Sequence, residues 1–461
     1  MEIDMTNVAS SEEYLSGKVH ARSMAAKMAQ WDSEIAAGLM NSTRYPELGY
    51  TKCVNGVAAA IPGDANNTFA CNNIDLYHFL SHAQLGSTQG QGSSSWGWTH
   101  KRSGREFVAI GQFDGTAFVE ITRRGKMVYL GRLPQYDAIG SRWREIRTLG
   151  DYIVIGSEAI KHGVGYFDMR KLLNIDPKNP KIFDPQADLA GWFGELPPYT
   201  TGCAAADGYV HDAECLVYRG PDKRYYGRDI CYGYNEDTMT IYDVTRKTGN
   251  FTSIISRTSY VGARYIHQGA VLDRNWQEFL VQPRTIFDIR NLEQLKVTGF
   301  YQGQTRSIDH NQYIIYGYNY QSNYGAGICE AGFFDIYPED DQAEGGGLVA
   351  FLGTWSSYAH FRSGYIYINT IERGSFIVKM TSKRCPGQGG APQCKNDALL
   401  RFMSAERRLE RSREFCARFT GEADRVQEET LGEYAQAAGT PTRGIKPRIS
   451  SACACLPTPT A

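Results

Sequence analysis

The 461 residues carry 49 Lys and Arg against 50 Asp and Glu, a formal charge of −1. No basic excess marks a surface for nucleic acid or for an anionic membrane. No run approaches the ~20 consecutive apolar residues of a membrane span, so a span and a nucleic-acid partner are both set aside. Abundant Gly (48) and Tyr (29) suit a β-rich chain full of tight turns.

The opening, Met1 to Ser10, is polar and lacks the apolar core of a secretory signal. From Ser11 to Met40 the residues Leu15, Val19, Met24, Met28, Trp31 and Ile35 recur at helical spacing among Glu12, Glu13, Lys18, Lys27 and Glu34. Residues 1–45 therefore read as a leader with an amphipathic helix whose apolar side docks on the main body.

After Tyr45-Pro46 the texture turns to short alternating runs broken by Gly, Asp and Asn. Six segments open on an aromatic or histidine motif: Trp96-Gly97-Trp98-Thr99, Trp143-Arg144-Glu145-Ile146, His211-Asp212-Ala213-Glu214, His267-Gln268-Gly269, Ile308-Asp309-His310-Asn311 and Gly353-Thr354-Trp355-Ser356. They return every 41 to 68 residues. Several then repeat one plan of strand, turn, strand and aromatic-acid ending, as in Tyr152 to Ile155 followed by Gly163 to Asp168. A unit of this size, unable to cover its own apolar faces, is the signature of a propeller blade. A sandwich also yields many short strands, but not an opening motif at a nearly fixed period. The expected fold is all-β: about six blades over residues 46–381, with the helical leader before them.

Residues 382–461 change texture again. Cys385 and Cys394 bracket a Gly- and Pro-rich loop, Asn396 to Arg418 is charged and helical, and the end carries Cys453 and Cys455. This is a small helical, cysteine-bearing tail. The eleven cysteines fall partly in close pairs, Cys53 with Cys71, Cys215 with Cys231 and Cys385 with Cys394. No Cys-x-x-Cys is matched by a second one, so disulfides are favoured over zinc. Cys215 and Cys231 flank a turn between strands that should be neighbours, and a bond between them is expected. Sequons at Asn41, Asn66 and Asn250 add glycosylation candidates. Together these signs point to an extracellular or cell-surface protein.

The chain resembles the LVIVD-repeat propellers of the choice-of-anchor B family, in particular their secreted fungal members. The match is carried by Cys53-Val54-Asn55-Gly56, Cys71-Asn72-Asn73-Ile74-Asp75-Leu76, Trp96-Gly97-Trp98-Thr99, Gly208 to Cys215, Gly233 to Thr238, Ile308 to Asn311, Tyr320 to Tyr324 and Phe334 to Asp340. The resemblance implies a propeller at or outside the cell surface and no established reaction. Two junctions depart from the family pattern. Phe279-Leu280-Val281-Gln282 runs almost directly into Arg284-Thr285-Ile286-Phe287-Asp288, and Gly325 to Cys329 leads straight to Phe333. Blades four and five are therefore expected to lack a strand each.

If the opening motifs are the innermost strands, Trp98, Trp143, His211, His267, His310 and Trp355 approach a common channel, with His162 near the same end. Three histidines could hold a transition metal, with Asp212 or Asp309 orienting a ring nitrogen. They could equally hydrogen-bond strands within their own blades. The acidic runs at Asp335 to Asp341 and Asn235 to Asp237 could bind calcium, but lack the spacing of a calcium loop and read as solvated turns. No phosphate loop, Gly-x-Ser-x-Gly elbow or His-Glu-x-x-His appears. The expectation is a monomer that binds a ligand, cell-wall or protein partner without catalysis. The alternative is a hydrolase or metal-dependent enzyme with its site at the channel mouth.

Overall fold

The computed structural model describes residues 18–135, 140–157, 159, 162, 164–193, 212–235, 238–246, 253–260, 266–283, 285–300, 308–315, 318–324, 332–341 and 350–381, with 411, 412, 415, 433 and 434. The chain divides into two units, Met1–Ser382 and Lys383–Ala461. In the second, the rings of Phe415 and Tyr434 meet edge to face at 5.1 Å, and Tyr434 donates to Ser412 Oγ at 3.1 Å. Cys385 and Cys394 lie outside the described residues.

The first unit is mostly β. Most of its strands form antiparallel meanders in which chain order equals spatial order, as short turns between alternating strands dictate. The first sheet comprises Gly92–Thr99, Glu106–Gln112, Gly115–Ile121 and Met127–Pro134, with Lys181–Ile182 added in parallel at its edge. The second holds Arg144–Leu149, Tyr152–Ser157, Val164–Asp168 and Leu189–Phe193. The third holds Asp212–Val217, Asp229–Asn235, Thr238–Asp243 and Ser253–Thr258. The fourth holds Ala270–Val271, Phe279–Val281, Thr285–Asp288 and Lys296–Phe300. A pair, Ile308–Ile315 with Tyr318–Tyr324, makes the fifth. The sixth holds Thr354–Tyr358, Tyr365–Thr370 and Gly374–Met380, and Ile74–Ser81 from the start of the chain is its fourth strand. There Gly374 pairs with Ser81 and Met380 with Ile74.

The fourth sheet corrects the expectation of a missing strand. Phe279–Val281 and Thr285–Asp288 are successive strands of one tight hairpin, with Gln282 N and Thr285 N each bonded to the other's carbonyl at 2.8 and 3.3 Å. In the fifth, the second junction, 325–331, lies outside the described residues. Phe333–Phe334 beyond it pairs with Thr68–Asn72, which pairs in turn with Val57–Ala59.

Apolar clusters lie between the sheets. One joins Phe107, Phe118 and Leu130 of the first sheet to Ile153, Ile155 and Phe167 of the second. Another joins Tyr232, Tyr234 and Ile241 of the third to Leu280 and Phe287 of the fourth. The first and sixth sheets meet through Val108, Ile110 and Tyr367. Gly97 permits that approach, since an added Cβ would stand 2.2 Å from the Tyr358 ring.

Both disulfides expected between described cysteines are present, Cys53–Cys71 and Cys215–Cys231. Cys215 and Cys231 are direct cross-strand partners, with Cα atoms 4.1 Å apart. Asn41 and Asn66 are exposed, and Asn250 lies outside the described residues.

The helix runs over Lys18–Ala36, and Trp31 is its docking residue, 1% exposed. Its ring lies 5.8 Å from Trp143 and 6.4 Å from Trp355, and its Nε1 donates to Phe351 O at 2.7 Å. Ile35, expected on the docking side, is instead 43% exposed.

Candidate functional site

Among the described residues, six of the seven sheets are linked in succession at or beside their first strands. The first and sixth are joined by the Ser95 and Ser356 hydroxyls at 2.8 Å. The strands Gly92–Thr99 and Arg144–Leu149 pack together, and Arg147 of the latter stands 3.8 Å from Asp212 Oδ2 of the third sheet. Val271 N of the fourth sheet donates to Glu214 Oε2 at 2.8 Å. Gln312 N of the fifth donates to Gln268 Oε1 at 2.6 Å, and His310 Nδ1 meets Trp355 O of the sixth at 2.6 Å. Side chains on these strands therefore converge on a shared axis.

At the N-terminal ends of the strands the axis is aromatic. Trp31 fills the space between Trp143 and Trp355, and Arg142 sits 5.2 Å over the Trp31 ring. His310 lies 5.5 Å from Trp355 and 4.1 Å from His267, ring centre to ring centre. The bond to Trp355 O places a proton on His310 Nδ1. Serines follow, with Ser95 on Ser356 and Ser322 on Ser357.

Beyond the serines is a charged cluster. Arg147 lies 4.5 Å over the Trp96 ring and 3.2 Å from Glu145 Oε2. Trp96 meets Tyr313 edge to face at 5.4 Å, and Tyr358 at 5.3 Å. The side chains of Glu145 and Arg147 stay 58% and 36% accessible. Yet enclosure by protein pushes the Glu145, Asp212 and Glu214 carboxyls up, with Arg147 opposing for the first two and the Val271 N–H for the third. Burial raises the Tyr313 phenol to about 12. Leu149 and Val217 end the first strands of the second and third sheets and Leu272 follows that of the fourth, with 66%, 42% and 48% exposure.

The sequence candidates divide. Trp143 and Trp355 are brought together by Trp31, His267 and His310 by each other, and Asp212 joins Arg147. Trp98 departs from expectation: it is 4% exposed, packed on Phe107 in the core between the first and second sheets. Trp96, two positions earlier on the same strand face, is the axial residue. His162 is also diverted, because its Nε2 lies 2.8 Å from the Arg144 guanidinium, which can only donate. His211 lies outside the described residues, as does the side chain of Asp309, whose backbone pairs opposite Asn323.

Among the described residues no three His, Cys, Asp or Glu side chains form a metal-holding group. The run Asp335 to Asp341 is not a solvated turn throughout: Asp335 and Asp340 are 8% and 2% exposed. Asp335 Oδ1 accepts from Tyr337 N at 2.9 Å, and Arg373 reaches Glu339. The residues that motif reading missed are Arg147 and Tyr313. Arg147 stood inside the Trp143 segment, four positions on, where strand alternation could have shown it.

No family model matches the chain, and no curated protein does. Solved structures similar to parts of it include the β-propeller domain of Myceliophteria thermophila Cps50 (Swd1), at 12% identity and TM-score 0.34, covering 64% of this chain and 98% of that one. PorZ, a surface component of the type-IX secretion system of Porphyromonas gingivalis, gives 11% and 0.32, over 77% of this chain and 40% of that one. The extracellular domain of a protein described as a hybrid two-component system of B. thetaiotaomicron gives 8% and 0.31, over 75% and 42%. The chain thus spans less than half the length of two of these. At such TM-scores the likenesses define nothing, and the architecture rests on the strand pairing. Among the described residues no helix is long and apolar enough to cross a membrane.

Proposed function

We propose that the chain is a six-bladed β-propeller of the LVIVD-repeat, choice-of-anchor B kind, working outside the cell or at its surface, and that it binds a ligand at its axis without catalysis. The succession of six linked sheets supports the architecture, with the terminal strand Ile74–Ser81 closing the last blade. The two disulfides support an oxidising location. The observation that carries the binding reading is the accessible cluster of Trp96, Glu145, Arg147, Asp212 and Tyr313, contributed by four sheets. Repeated scaffold positions would repeat in type, whereas these differ from blade to blade.

The test is a panel of polysaccharides and secreted proteins presented to the purified chain. Saturable binding to one of them should weaken at least about tenfold in Trp96→Ala. Binding indifferent to that change, or none across the panel, refutes the reading. The hydrolase alternative would rest on Glu145 and Asp212, two carboxyls that flank Arg147 at 3.2 and 3.8 Å. Turnover of chromogenic glycosides or esters that is lost in both Glu145→Gln and Asp212→Asn would establish it.

A further inference from the structure

Three tight turns come together where the first and sixth sheets meet. The first joins Thr99 to Glu106 and is closed by Gly104 N, which donates to His100 O at 2.8 Å. The second, Thr122 to Lys126, is closed by Gly125 N on Thr122 O and by Thr122 N on Lys126 O, both at 2.9 Å. The third spans residues 359–364 of the sixth sheet. Arg105 of the first turn reaches Glu120, just before the second, at 2.7 Å. Ser363 of the third donates from N and Oγ to Glu106, and Tyr365 Oη donates to Arg123 O at 3.2 Å. Gly125 has φ +77°, and a Cβ there would stand 2.6 Å from the Tyr365 ring, so the second turn is pressed against the sixth sheet.

These turns carry Lys101, Arg102, Arg123, Arg124 and Arg362, all exposed. Lys379 stands beside them, its ammonium 4.7 Å over the Tyr365 ring. The neighbouring carboxylates are already engaged. Glu120 holds Arg105, Glu47 holds Lys126, Glu106 is capped by Ser363, and Asp75 accepts from Tyr50 Oη and Cys53 N. Among the described residues no ion pair offsets the exposed cations. A chain of net charge −1 therefore has a local basic excess here. Arg123 and Arg124 are adjacent at the centre of one turn, held there by its hydrogen bonds, and a bound anion would relieve their repulsion. The first two turns lie two strands apart in one sheet, about 10 Å. A single small anion cannot bridge that distance, whereas a polymer with an anion on each unit can.

A row of tyrosines borders the cations. Tyr50 meets Tyr77 edge to face at 5.0 Å, and Tyr77 meets Tyr365 at 4.9 Å. Tyr50 is 58% exposed and steadied by its bond to Asp75, so its ring offers a face on which the apolar side of a sugar can rest. From this arrangement we infer that the junction of the first and sixth sheets binds an acidic polysaccharide, its carboxylates or sulfates taken by the arginines and a sugar ring laid on Tyr50. Guanidinium groups pair such oxyanions through two parallel hydrogen bonds. The site is separate from the axial one, and the choice of a glycan among polyanions rests on the proposed location outside the cell.

Binding of the full chain to dextran sulfate, polygalacturonate, neutral dextran, poly-glutamate and duplex DNA, at about 0.15 M salt, tests it. At least one of the two acidic glycans should bind saturably, and at least about tenfold more tightly than poly-glutamate or DNA. Neutral dextran should not bind. Arg123→Ala with Arg124→Ala, and Lys101→Ala with Arg102→Ala, should each weaken glycan binding at least about tenfold. Tyr50→Ala should weaken it about threefold to tenfold. Lys178→Ala and Lys223→Ala remove exposed cations elsewhere and should leave it unchanged. Thermal melts of each variant separate loss of binding from loss of fold. Three outcomes overturn the inference: neither acidic glycan binds, poly-glutamate or DNA binds as tightly, or glycan binding survives both double variants with their melts intact. Glycan binding that is lost in Trp96→Ala instead belongs to the axis, so this inference falls and the axial site stands.

Discussion

Replacing Trp31 by alanine removes the side chain through which the N-terminal helix meets the sheets. The indole is 1% exposed, lies against Trp143 and Trp355, and donates to Phe351 O. Truncating a buried tryptophan costs about 3–5 kcal/mol. Every 1.4 kcal/mol is tenfold in an equilibrium, so helix release should become at least about a hundredfold more frequent. Lys27, 9% exposed with its ammonium 4.6 Å over Phe351, is protected from trypsin only while the helix is docked. Under native conditions cleavage follows the population of the opened form. The initial rate of cutting at Lys27 should therefore rise by that factor in Trp31→Ala. In Trp31→Phe, which keeps an aromatic ring but loses the N–H donor, the rise should be only about fivefold to tenfold. A rate within twofold of wild type in Trp31→Ala would refute the docking argument.

Three further outcomes follow from packing and charge. Non-reducing peptide maps should recover Cys215 linked to Cys231, and replacing both by alanine should cost up to about 3 kcal/mol for a closed loop of this length, read as a lower melting temperature; alkylatable thiols at both positions would contradict the bond. Gly97→Ala should destabilise by about 1–3 kcal/mol or more, because the new methyl meets the Tyr358 ring; an unchanged melt would mean the first and sixth sheets are not held this close. Burial raises the carboxyls of Asp335 and Glu372 to about 7 each, so the folded protein holds protons that the unfolded chain releases near pH 4, and this stabilisation is lost as pH rises from about 4 to 7. Asp335→Asn keeps the acceptor for Tyr337 N–H, so it should melt above wild type at about pH 8 and alongside it at about pH 4; an equal shift at both would refute the assignment.

The β architecture could be read in advance because most strands follow one another across short turns and the opening motifs sit at or beside the first strand each time; the pairings of Ile74–Ser81 and of Phe333–Phe334 with distant strands were not legible. The axial site was legible only in part. Sequence placed Trp98 at the axis from its strand, yet Trp96 shares its face, and which of the two reaches Arg147 depends on where the neighbouring sheet ends. His162 read as a free ligand because nothing in its own segment reveals that Arg144, eighteen positions earlier, folds over it. Trp31 read correctly as a docking residue, but its place between Trp143 and Trp355 joins parts of the chain too distant for periodicity to connect. The strand thought missing after Gln282 was hidden by length alone, since strands of three and four residues suffice when a two-residue approach closes the hairpin.

The pairing of Ile74–Ser81 with Gly374–Met380 has a consequence for biosynthesis. An emerging chain presents residues 74–81 long before their partner strand exists, so the sixth sheet cannot assemble on a growing polypeptide. Until residue 380 has left the ribosome, the early strand keeps bare amide and carbonyl edges, which invite pairing with other nascent molecules. Closure over so wide a sequence separation is also slow. A chaperone that shields residues 74–81 during translation should raise the yield of native protein more than one acting after release.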